Sequence, residues 1–206
     1  TLARGDGGCG GSTNIRPKPD PLPAREPTRL WRYHKPPGLV TSHRDPQGRA
    51  TVFERLPEVL PRVVSIGRLD RNSEGLLLLT NDGGLARQLE LPSTGWTRRY
   101  RVRVHGAVVE AKLASLVEGI TVSGIQYGPV HAQLNSHQRS NAWLTVSLEE
   151  GKNREVRRLM EHCGHPVTRL IRVAYGPFQL GKLTRGQTAE VPTRVLRQQL
   201  GEEAGA

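Results

Sequence analysis

At 206 residues the chain is long enough to bury a core of its own and suits one or two domains. Thirty Lys and Arg against nineteen Asp and Glu give a formal charge of +11, an excess that attracts polyanions and sets nucleic acid ahead of other partner classes. The longest apolar run, Leu76 to Leu79, is far short of the ~18 residues of a membrane-spanning helix, and Cys9 and Cys163 are too few and too distant for a disulfide framework or zinc site.

Paired with the absence of an apolar signal region in TLARGDGGCGGS, this cysteine usage predicts a reducing, cytoplasmic setting and no membrane partner. Thr1 in place of an initiator Met points to a piece of a longer chain. Residues 1–28 carry Gly7, Gly8, Gly10 and Gly11, then Pro17, Pro19, Pro21, Pro23 and Pro27, a composition that favours neither helix nor ladder and predicts a flexible linker or tail. One folded domain is expected over 29–200, with a short tail at 201–206.

The domain opens with strand-like runs divided by polar turns such as KPPG at 35–38 and NDGG at 81–84. Residues 67–83, GRLDRNSEGLLLLTNDG, place Asp70 just before a buried apolar strand. A lone Asp in a loop is more often a turn or cap residue than a catalyst. Here Arg68 and Arg71 flank it, and neighbouring cations keep a carboxylate ionised and available as nucleophile or base.

Tyr100, Val102 and Val104 alternate with Arg101, Arg103 and His105, which predicts a half-buried strand with a basic outer face. Leu113, Leu116 and Val117 predict a helix over 110–118, ended by Gly119. Residues 120–123, 130–134 and 142–149 read as strands, the last with Ala142, Leu144, Val146 and Leu148 on one face. Strands clustered without regular helical crossovers indicate the α+β class, with a mixed, largely antiparallel sheet and peripheral helices.

From Asn153 to Cys163, Val156, Leu159, Met160 and Cys163 follow the spacing of one helix face, with Asn153 as N-cap and Gly164 and Pro166 as the stop. Lys152, Arg154, Arg157, Arg158, Arg169 and Arg172 fall in or near this helix against Glu155 and Glu161 alone. Pairing cannot neutralise such a patch, so phosphate contact is favoured over a solvated charged face.

Three weaker signals are set aside. GPFQLGKL at 176–183 has phosphate-loop spacing, but Leu183 stands where Ser or Thr is needed. His162, Cys163 and His165 lack a fourth metal ligand, so no metal is expected. A magnesium-dependent phosphoryl-transfer enzyme would show clustered carboxylates, which are not evident.

The run from Gly67 to Gly83 resembles the segment around the catalytic Asp of ribosomal RNA pseudouridine synthases, in the group that joins the A type for the small ribosomal subunit with the B type for the large one. LWRYHKPPGLVTS at 30–42, RRYRVRVHG at 98–106 and EGKNREVRRLMEHCGHPVTRLIRVAYG at 150–176 agree with that family in type and order. The segments at 45–56 and 150–160 look closer to the B type.

The resemblance implies a pseudouridine synthase fold and cofactor-free isomerisation of a uridine in ribosomal RNA, with 23S large-subunit RNA preferred. It casts Asp70 as nucleophile, Tyr100 as the aromatic against an extruded uracil, and Arg157 as the cation paired with Asp70. Arg68, Arg71, Lys152, Arg154, Arg158, Arg169 and Arg172 are then the RNA-binding set. Nothing in residues 1–29 looks like the S4 domain that commonly begins such proteins, so this is expected to be the catalytic portion, acting as a monomer. The competing reading is a non-catalytic ribosomal RNA binder or assembly protein, which needs the cations but not Asp70.

Overall fold

The computed structural model describes residues 26–201. Strands β1 (Leu30–Lys35), β2 (Val64–Ile66) and β3 (Glu74–Thr80) precede helix α1 (Gly83–Glu90) and strand β4 (Arg98–His105). A short α2 (Glu110–Ala114) leads into the hairpin of β5 (Ile120–Val122) and β6 (Ile125–Tyr127), then the long pair β7 (Val130–Gln138) and β8 (Asn141–Leu148). Helix α3 (Glu155–His162), strands β9 (Val167–Tyr175), β10 (Phe178–Gln179) and β11 (Thr188–Glu190), and helix α4 (Thr193–Leu200) complete the order.

The main sheet runs β11-β1-β3-β9-β4-β8-β7, with β2 added to β3 and β10 to β9. Its pairs are antiparallel except β3 with β9, which run parallel. This is the mixed, largely antiparallel α+β sheet that the sequence predicts.

Strand β3 lies inside that sheet and is buried at every position from Glu74 to Thr80, which is why its apolar run does not alternate with polar residues. Its successive side chains feed two cores. Leu77 and Leu79 join Tyr100, Val102, Leu144, Val146 and the apolar stripe of α3; Leu76 and Leu78 join α1, α4, Tyr175 and Phe178 on the reverse face. The reverse-face helices cover the β1/β3 half of the sheet.

The caps follow from local chemistry. Asp82 accepts from the Gly84 and Leu85 amides at 2.8 and 3.2 Å, starting α1. Helix α3 differs from expectation at its start: Asn153 is not the cap. Arg154 occupies that position at φ +52, and Glu155 Oε2 instead accepts from the Lys152 amide at 2.8 Å. The buried carboxyl reaches back one turn to an amide upstream of the helix, as the acidic residue of a capping box does, while the cap position itself makes no side-chain bond. At the far end Gly164 has φ +83, the left-handed conformation that ends the helix.

The helix predicted over 110–118 is broken. Helix α2 stops at Ala114, and residues 115–118 tighten into a 3-10 turn that still buries Leu116 beside Leu113. At the domain's start, Thr28 belongs with the fold rather than with the tail: it is buried, and its hydroxyl donates to Asp82 at 2.9 Å. Residues 1–25 of the expected tail, and most of the terminal one, 202–206, lie outside the described residues.

Candidate active site

The α3 face of the sheet holds a cavity of about 700 Å³. Asp70 and Tyr100 both line it, together with Arg68, Arg71, Lys152, Arg154 and Arg172 from the predicted RNA-binding set. Four elements meet there: the loop before β3, strand β4, the turn into α3, and β9. The sequence brings them together because the apolar alternation of β4 turns Tyr100 inward and the apolar stripe of α3 docks over the same strands.

Asp70 sits at a tight turn whose carbonyl accepts from the Ser73 amide at 3.0 Å. Its carboxylate has no ion pair or hydrogen bond among the described residues and is only partly buried, so it faces the cavity with its lone pairs unspent. Tyr100 is 9% exposed and contributes its ring to the same wall.

The turn is held from beneath by Lys35, which sequence reasoning did not single out. Lys35 is fully buried at the end of β1, and its ammonium faces four carbonyl oxygens, those of Pro36, Asp70, Arg71 and Ser73, at 3.1, 3.2, 3.4 and 2.9 Å. Burial pulls its pKa down to about 8, with Asp70 and Glu74 opposing the fall. The only sequence signal was a Lys closing an apolar-alternating strand; nothing local announces that the charge lies inside.

Arg157 departs from its expected place. It makes no ion pair with Asp70; its head donates to the Asn72 carbonyl at 3.0 Å and, more weakly, to that of Val167 at 3.4 Å. It is turned into the protein rather than onto a flank of α3, with burial and Arg154 weighing against its charge and Asp70 near enough to favour it. Arg157 thus ties the Asp70 loop to β9 and lends the site positive potential without touching the carboxylate.

The cations also divide. Arg68, Arg71 and Arg154 are exposed on the cavity rim. Lys152 is on the rim too, with its ammonium on Glu150 and the Gln126 carbonyl. Arg158 lies off the cavity beside the Tyr127 hydroxyl at 3.5 Å. Arg172 is a correction: it is 2% exposed, donating to the Leu76 carbonyl at 2.8 Å, so it braces the cavity floor rather than meeting phosphate at the surface. Arg169 lies away from the cavity: it emerges on the reverse face, paired with Glu74, because β9 alternates its side chains.

Arg98 and Glu155 are among the lining residues that the sequence reading missed. Arg98 packs over the Tyr175 ring at 4.9 Å, and its place two residues before Tyr100 was the available signal. Glu155 is buried at the wall, and burial raises its pKa. His165, set aside as a metal ligand, is a core histidine whose Nε2 accepts from the Val109 amide at 3.3 Å.

Residues 29–162 match the RNA pseudouridylate synthase family. The chain belongs to that family. It is 51% identical over 168 residues to an RNA pseudouridine synthase of Rickettsia conorii, covering 82% of this chain and 72% of that one. It is 44% identical over 170 residues to ribosomal large subunit pseudouridine synthase B of Escherichia coli O157:H7, again covering 82% of this chain but 59% of the relative. The corresponding protein of Yersinia pestis is 45% identical over 168 residues, with 52% of its length covered. The family member therefore spans little more than half of these B-type relatives.

Among solved structures, a pseudouridylate synthase superposes with a TM-score of 0.73 at 26% identity, covering 84% of this chain and 74% of that one. The chain in an archaeal Nop10-Cbf5 complex shares the fold at a TM-score of 0.54 and 20% identity. The enzyme class and the fold thus agree with what the motifs imply.

Proposed function

We propose that the chain isomerises a uridine of large-subunit ribosomal RNA to pseudouridine, with Asp70 as the nucleophile. The observation that carries this reading is the placement of an unpaired Asp70 carboxylate and the Tyr100 ring on one cavity rimmed by Arg68, Arg71 and Arg154. About 700 Å³ falls in the range of ligand pockets, ~300–1,000 Å³, and admits one nucleotide rather than a duplex. The B-type relatives support the choice of large-subunit RNA.

The isomerisation breaks the bond from N1 to C1′, turns the uracil and forms a bond from C5 to C1′. The C5 proton leaves and N1 gains one, so no electrons enter or leave and the balance calls for no cofactor. A uridine in structured RNA has to leave its stack to reach Asp70, and the rim guanidiniums offset that few-kcal/mol cost through its flanking phosphates. Tyr100 then receives the base against its ring. Whether Asp70 adds to the ribose or to the base, its carboxylate must be free to approach, and no described residue ties it up.

The test is to incubate the native protein with unmodified 23S and 16S transcripts and map pseudouridine by carbodiimide-dependent reverse-transcription stops. The reading predicts a new stop at a single 23S uridine. Stops in 16S alone overturn the choice of large-subunit RNA, and none in either RNA overturns the ribosomal substrate.

A further inference from the structure

The reverse face of the sheet is covered by α1 and α4 where they close a core with residues of β1, β2, β3, β9 and β10. Over β4, β8 and β7 no helix among the described residues covers it, and its composition is one-sided: these three strands contain no Asp or Glu. Arg99 and Arg101 stand exposed on β4, and neither has a carboxylate partner among the described residues. Arg103 follows on the same face, opposite Trp143 of β8.

Trp143 is the organising group. It is partly exposed at the centre of the open face, with the guanidinium carbon of Arg101 4.5 Å above its ring and those of Arg103 and Arg169 at 6.0 Å. A guanidinium stacked on an aromatic uses its flat face for the contact and keeps its in-plane N–H groups free. Those groups form the fork that fits a phosphate, and stacking removes part of the rotamer entropy that binding would cost. Glu74 does not neutralise the patch: it is shared by Arg169 and Arg185, so one carboxylate meets two cations.

We infer that this open face, built on Arg99, Arg101 and Trp143, is a second RNA-binding surface that grips the phosphate backbone of an RNA segment separate from the one entering the cavity. Tyr100, Val102 and Val104 point to the cavity side, whereas Arg101 and Arg103 point away from it, so the sheet itself separates the two sites. A short hairpin carrying the target base reaches only the cavity. A long, folded RNA reaches both, and the second contact adds affinity through effective concentration rather than new chemistry. The inference rests on the chain acting on a large RNA, and its test is made independent of which RNA that is.

The variants are R99Q/R101Q and W143F in the full chain, and the probe is an RNA duplex of ~20 base pairs and arbitrary sequence. Filter binding between 50 and 300 mM salt should show the double variant's log–log salt slope reduced by about 1 to 2, with affinity at 150 mM salt reduced about tenfold. RNA should quench tryptophan emission in the native chain and not in W143F, since Trp31 is buried and Trp96 lies against Tyr175 and Phe178. Activity on a minimal hairpin should be unchanged in R99Q/R101Q. An unchanged salt slope overturns the inference even where ribosomal RNA is modified as proposed. So does a polyglutamate peptide that competes as well as RNA at equal charge, because the face would then select acidic protein. Weakened duplex binding supports it even where ribosomal RNA proves not to be the substrate.

Discussion

Lys35 donates to the backbone carbonyl of Asp70 across 3.2 Å, from a position with no solvent exposure. The proposed nucleophile is therefore positioned by its main chain, from below, while its carboxylate is left to the cavity. With four carbonyls converging on one ammonium, the charge of Lys35 is an internal stand-in for a turn of regular hydrogen bonding.

This arrangement makes Lys35 a source of pH dependence. Its pKa is about 8 in the fold and 10.5 as an unperturbed side chain, so between those values the unfolded chain binds more protons than the folded one. Stability then rises with pH through that window, by at most ~3 kcal/mol from this group. Below pH 8 the fold carries the full cost of the buried ammonium. Activity should move the other way, falling above pH 8 as the neutral amine loses a donor to the Asp70 loop. Urea midpoints at pH 7.5 and 10, measured on the native chain and on Lys35→Met, check the sign: the native chain should gain stability relative to the variant at the higher pH, and a constant difference contradicts the assignment.

Gly75 should tolerate no side chain. It has φ +109, and a Cβ there would collide with the backbone of Arg172 on the neighbouring strand β9. The backbone of Arg172 cannot rotate away as a side-chain tip could, so Gly75→Ala forces apart the one parallel strand pair of the main sheet among the described residues, at the base of the Asp70 loop. Thermal melting should show a loss of about 2 kcal/mol or more, in the range of strained-backbone and overpacking substitutions.

Arg157 is predicted to position the loop through carbonyls rather than to pair with Asp70. Arg157→Lys keeps the charge and removes the fork to Asn72 and Val167. The expected outcome in steady-state kinetics is a lower kcat with KM nearly unchanged. Full activity in the Lys variant would show that charge alone suffices and that the carbonyl contacts are incidental.

Tyr100→Leu preserves the apolar wall of β4 and removes the ring. Stacking of a base on an aromatic side chain is worth about 1–3 kcal/mol, so kcat/KM on an RNA substrate should fall roughly ten- to hundredfold. Circular dichroism should remain native-like, because the strand is held by its pairing to β8 and β9 along its whole length.

Period-two alternation at 100–105 and 142–148 and the helical stripe of Val156, Leu159 and Met160 made the sheet, its inner face and its docked helix legible from the residues alone. Asp70 and Tyr100 were legible for a different reason: their segments carry a family resemblance that no single local rule supplies. Lys35 was not, because burial of a lone charge is decided by four carbonyls that only the folded chain assembles. The charges of Arg157, Arg169 and Arg172 were visible, but not their destinations. Arg157 turns inward beside the stripe of Val156 and Met160, and the two faces of β9 send Arg169 to the reverse side and Arg172 to the interior, while the count of cations stays the same.

The most direct test of the role of Asp70 is a comparison of the native protein with Asp70→Asn on the same RNA, following pseudouridine formation and binding together. The substitution removes one negative charge and little volume, so RNA affinity should stay within about a few-fold while isomerisation disappears. Pseudouridine formed by the Asn variant at the native rate would contradict that role and assign the chemistry to another group of the cavity.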